Sequence, residues 1–70
     1  MNFILMFDIP ETKGALKRSI NRKLHKMNAI KLQQSVWKSK DLHKLSEISS
    51  MIKREGGQAT ILKEDIVVHY

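Results

Sequence analysis

The sequence predicts an α+β domain in which two helices cover one face of an antiparallel sheet. Three observations predict it. A nearly continuous apolar run, NFILMFD at residues 2–8, is too short for a helix and is closed by Pro10. Two later stretches carry apolar residues at helical spacing. Short β-type runs bounded by turn residues lie between and after them. The order is strand, helix, strand, strand, helix, strand, the split βαβ or ferredoxin-like arrangement. Residues 1–70 form a single domain with no repeat, linker or low-complexity tract.

Each element has a local reason. Asn2 to Asp8 reads as a central strand covered on one face or both. Pro10 to Lys13 makes a turn, and Thr12 is the candidate cap of the first helix. Leu16, Ile20, Leu24 and Met27 form its apolar stripe, with Lys17, Arg18, Arg22, Lys23 and Lys26 on its other faces. Asn28 tolerates the left-handed conformation that ends a helix. Ile30 to Gln34 alternates, with Ile30 and Leu32 expected inward and Lys31 and Gln33 outward. Ser35 to Lys38 is either a continuation of that strand or a second strand after a turn at Gln34 and Ser35.

Ser39 or Asp41 caps a second helix that reaches about Arg54, with a stripe of Leu42, Leu45, Ile48 and Ile52. Gly56-Gly57 stops it. Ala59 to Leu62 is the next strand, residues 63–65 are a polar turn, and Ile66 to Tyr70 reads as a short fifth strand.

Composition narrows the partners. A chain of 70 residues buries only about 60% of its unfolded surface and is marginal alone. It has no cysteine, so disulfides and thiolate metal sites cannot add stability. A second copy, covering the open sheet face, is the natural remedy. No apolar stretch approaches the ~18 residues of a membrane span. The first apolar run lacks a preceding basic residue and ends at Asp8 and Pro10, unlike a signal peptide, so a cytoplasmic location is expected.

The formal charge of +6 is uneven. Residues 1–40 hold nine Lys or Arg against two acids, giving +7, whereas residues 41–70 give −1. Charge gathered in one half makes a patch that can release counterions from phosphates, although a basic face can also serve solubility alone.

Asp8 is the leading site candidate, because a carboxylate at the carboxyl end of a strand sits on the sheet rim. Its ordinary role would be to start the turn around Pro10. One carboxylate is too few for a hard divalent ion, but a two-fold axis near Asp8 would bring two copies together around a cation. A magnesium ion there could activate water or polarise a phosphate. Glu11 reads as a favourable acid at the helix start. Lys17, Arg18, Arg22 and Lys26 could track a phosphate backbone, and Lys31 and Lys38 could extend the track. Trp37 is a core or interface anchor before it is a stacking platform. Ser35 can hydrogen-bond a phosphate but has no base nearby to make it a nucleophile. His25, His43 and His69 have no metal-ligand spacing.

Phe7-Asp8-Ile9-Pro10 at the end of the first strand, a basic helix, and then Lys31-Leu32-Gln33-Gln34-Ser35-Val36-Trp37 together resemble the CRISPR-associated Cas-two family. The likeness runs from Asn2 to about Leu62. It implies a ferredoxin-like homodimer with facing sheets, with Phe7 and Trp37 at the dimer interface. It further implies a scaffold that binds duplex DNA beside the CRISPR integrase subunit during spacer acquisition. Some relatives are magnesium-dependent endonucleases on RNA or DNA and others are non-catalytic. By position, Asp8 would be the metal-ligand and catalytic carboxylate. Lys17, Arg18 and Lys31 would stand at the family's basic positions, and Ser35 and Trp37 in its sheet motif.

There are departures from the family pattern. Lysine replaces arginine at two basic positions, which weakens bidentate phosphate recognition. Trp37 stands where phenylalanine is usual, and the chain ends sooner than most relatives, leaving exchange of the last strand in doubt. The SVW segment is also similar to the carboxyl-terminal module of the phenylacetate-catabolism repressors, although the winged-helix reader of that family is missing here. The sequence thus leaves three readings: an adaptation scaffold, a free-standing toxin-like endoribonuclease, and a regulatory interaction domain without nucleic-acid contact.

Overall fold

The computed structural model describes residues 1–64; the expected strand at 66–70 lies outside the described residues. The elements are β1 (Phe3–Asp8), α1 (Gly14–Lys26), β2 (Ile30–Gln33), β3 (Val36–Ser39), α2 (Leu42–Arg54) and β4 (Gln58–Lys63). They form the expected ferredoxin-like α+β fold. The sheet order is β2-β3-β1-β4, and each neighbouring pair is antiparallel. Two split βαβ units interlock, so that β3 lies between β1 and β2 while β1 lies between β3 and β4.

Alternation along β1 decides which side chains meet the helices. Leu5 is fully buried and pairs across with Trp37 on β3 and Ile61 on β4. These share one face with Phe3, Phe7 and Ala59, which pack on a core of Leu16, Ile20 and Leu24 from α1 and Leu45, Ile48 and Ile52 from α2. The opposite face carries Ile4, Met6 and Asp8 of β1, Val36 and Lys38 of β3, and Gln58, Thr60 and Leu62 of β4.

Three of the four β2 residues take the side opposite to the expected one, Ile30 and Leu32 turning away from the helices and Lys31 toward them, while Gln33 pairs with Val36 on the open face as expected. Lys31 pairs with Trp37, so it shares the helix-side face, and its ammonium lies 5.9 Å from the indole centroid. Ile30 and Leu32 consequently belong to the open face and are 58% and 43% exposed. A bulge between Lys31 and Gln33 leaves Leu32 as the extra residue of the ladder. Gln34 and Ser35 form the turn, which resolves the choice in favour of two strands.

The helix ends follow local chemistry more closely than the starts do. Asn28 has φ 59°; its N–H bonds the His25 carbonyl, and the Ala29 N–H bonds that of Leu24. Gly56 (φ 90°) and Gly57 repeat this pattern on Lys53 and Ile52, so both helices close in Schellman motifs. Asp41 caps α2 by accepting the Lys44 N–H at 3.0 Å. Thr12 does not cap α1: Lys13 holds the cap position without a side-chain bond, because the Lys13 N–H closes the turn onto the Pro10 carbonyl. Leu42 stands outside the stripe of α2 at 42% exposure, and Ser49 is buried in that helix instead. Glu11 precedes α1 and pairs with Lys17 at 3.2 Å rather than occupying the first turn.

Candidate nucleic-acid interface and the Asp8 rim

Asp8 is the last residue of β1, exposed on the open face and opposite Gln58. The chain behind it is firmly held. Ile9 is buried, and Gly57 of the α2 terminus packs so closely that a Cβ there would lie 2.7 Å from the Asp8 carbonyl oxygen. Among the described residues the Asp8 carboxylate makes no ion pair and no side-chain hydrogen bond. The bond from Lys13 to Pro10 does the turn-closing that a simple turn aspartate would do. Asp8 instead borders an open depression of about 190 Å³ with Met6, Gln58 and Thr60.

No group of three His, Asp or Glu side chains among the described residues is placed to hold a metal ion. Asp8 is the one carboxylate lining this depression, beside the neutral Gln58 and Thr60.

The cationic candidates divide into two places. Lys17, fourteen residues before Lys31, lines one small notch with Lys31, Ser35, Phe7, Asn21 and Gln34. Four parts of the fold build it: the end of β1, the first half of α1, β2 and the β2–β3 turn. The Phe7 N–H donates to the Ser35 carbonyl at 3.1 Å and ties the turn to β1, while Ser35 takes φ 65°. Arg18 and Arg22 do not join them. They are exposed on α1, four residues apart on its outward side.

Asn21 and Gln34 escaped the sequence reading because neither is charged. Their signal was position, Asn21 one turn after Lys17 and Gln34 beside Ser35.

Phe7 and Trp37, expected at a dimer interface, both pack against the helices of their own chain. Trp37 is 1% exposed within its own chain, where its ring meets His25 edge-on at 5.1 Å. Phe7 is half-buried on the same helix-side face. Both lie on the face opposite the open one that carries Asp8. Register is the reason, since Phe7 and Asp8 are consecutive in one strand and must point to opposite sides. The Asp8 rim and the notch accordingly lie on opposite faces of the sheet.

Fold and surface together define a small ferredoxin-like domain with a cationic α1–β2 flank and a mixed open sheet face, on which Asp8 is an unpaired carboxylate among the described residues and Glu64 is paired with Lys38. No protein-family model matches the chain, and no curated protein matches its sequence. No helix among the described residues is long and apolar enough to cross a membrane.

Proposed function

We propose that the chain works as a two-fold nucleic-acid-binding domain of the kind the Cas-two resemblance implies. In that role it is a scaffold for duplex DNA in CRISPR spacer acquisition, docking beside the integrase subunit. The observation that carries this reading is the separation of chemistries on the surface. The open face gathers Ile4, Met6, Val36, Ile30, Leu32 and Leu62, of which four are exposed. A second copy laid sheet to sheet would bury that area. Its one lysine, Lys38, is already offset by Glu64 at 3.6 Å. The cations Lys17, Arg18, Arg22 and Lys31 lie off this face and stay available to phosphates.

Asp8 shares the buried-to-be face, which is where a two-fold axis would bring the two carboxylates toward each other. Held so close, they need a cation or a proton between them, and magnesium is the cation their oxygens suit. Bound there, the ion would supply an activated water or a polarised phosphate for phosphodiester hydrolysis. The chain's own contribution is to fix the Asp8 backbone through Ile9 and Gly57.

Light scattering should give a dimer for the wild-type chain and a folded monomer for Met6→Glu, a substitution at an exposed open-face position. Asp8→Ala should abolish magnesium-dependent cleavage and leave duplex affinity largely intact. Loss of both would contradict the scaffold role. Duplex affinity should fall steeply as salt rises; negligible affinity even at low salt would favour a regulatory domain instead.

A further inference from the structure

We propose that the notch of Lys17, Asn21, Lys31, Gln34 and Ser35 is a seat for a single phosphoryl group. This rests on the nucleic-acid reading and adds to it the ligand group and its place. The notch measures about 70 Å³. Pockets for whole small molecules run to ~300–1,000 Å³, so this one takes a functional group rather than a base and sugar.

Its lining is one-sided chemically. Beside Phe7 it is lined by two lysines, an asparagine, a glutamine and a serine, whose side chains can all donate, and by no aspartate or glutamate. Among the described residues, the Asn21, Gln34 and Ser35 side chains make no hydrogen bond within the protein. Glu11 reaches Lys17 from outside, but it is 96% exposed, so the pair is screened and easily exchanged for an incoming anion.

Ser35 adds a conformational observation. Its φ of 65° is a region that glycine or asparagine occupies more readily, yet a hydroxyl-bearing residue is held there by the Phe7 N–H. Lysines act as point charges and the amides as neutral donors, a set that fits the several oxygens of a tetrahedral phosphate. A planar carboxylate is better met by an arginine fork, which the notch lacks.

The only tryptophan in the chain provides a local reporter, because the Lys31 ammonium sits over its ring. The full chain is titrated with inorganic phosphate, and with duplexes of one sequence bearing either a 5′-phosphate or a 5′-hydroxyl. Binding is followed by tryptophan fluorescence and by amide NMR shifts.

Saturable shifts should concentrate at Asn21, Lys31, Gln34 and Ser35. Asn21→Asp and Gln34→Glu, both at exposed positions, should weaken phosphate at least tenfold. Ser50→Asp, the same charge change on the exposed surface of α2, should not. A preference for the 5′-phosphorylated duplex would identify a terminal phosphate as the occupant, and equal binding an internal diester. If the duplex binds but its shifts map to Arg18 and Arg22 and Asn21→Asp is silent, the seat is refuted while the wider reading stands. If neither phosphate nor duplex binds, both fall.

Discussion

Gly57→Ala should be the most damaging single-methyl change at the end of α2, and the structure says by how much. A Cβ at Gly57 would stand 2.6 Å from the Ile52 Cγ2, 2.7 Å from the Asp8 carbonyl oxygen and 3.2 Å from the Ile52 carbonyl oxygen. None of these can move away cheaply. Ile52 is fully buried, two of the three atoms are backbone, and the Gly57 N–H is itself bonded to the Ile52 carbonyl at 2.9 Å. Overpacking at such a site costs about 2–3 kcal/mol. In a domain of this size each kcal/mol lowers Tm by about 4–8 °C, so a drop on the order of 10–20 °C is expected.

Gly56→Ala is the internal comparison. At Gly56 a Cβ meets nothing within 4 Å, and the cost comes only from φ 90°. That is about 1 kcal/mol, the ordinary penalty of placing an L-residue in left-handed backbone. Thermal and urea denaturation of the two variants, followed by tryptophan fluorescence, give the comparison directly. Because one clash is with Asp8, Gly57→Ala should also shift the Asp8 amide resonance, and Gly56→Ala should not. A Gly57→Ala variant as stable as Gly56→Ala would refute the close-approach reasoning.

Three further outcomes follow from the same geometry. Leu24→Ala removes a side chain that is fully buried between α1 and the sheet; it should cost about 2–5 kcal/mol and leave the chain largely unfolded in urea titrations. Asp41→Ala deletes the acceptor for the Lys44 N–H and should cost ~1 kcal/mol by thermal melting, with recovery in Asp41→Ser. Asn28→Gly should be neutral or slightly stabilising by thermal melting at φ 59°, whereas Asn28→Val should destabilise, since a β-branched residue is strained in that region.

Much of this protein was legible because the relevant physics is local. The apolar run before Pro10, the two helical stripes and the Gly56-Gly57 stop report backbone choices made within a few residues, and the βαββαβ order follows from them. The chemistry at the helix termini was equally local: Asn28 took the expected role, and of the two candidate caps Ser39 and Asp41 the structure uses Asp41. The uneven charge was likewise visible in the sequence alone.

Tertiary structure decided which face each strand residue occupies. Ile30 and Leu32 alternate with Lys31 and Gln33 in the sequence, but pairing of Lys31 with Trp37 set the phase, and the bulge put Gln33 opposite Val36 on the same face as Ile30. The same register sent Phe7 and Trp37 to the helices and Asp8 to the open face. Tertiary packing also brought Lys17 and Asn21 of α1 beside Lys31 of β2 and Gln34 and Ser35 of the following turn. A strand's own sequence states its period, but the partner strand chooses its side.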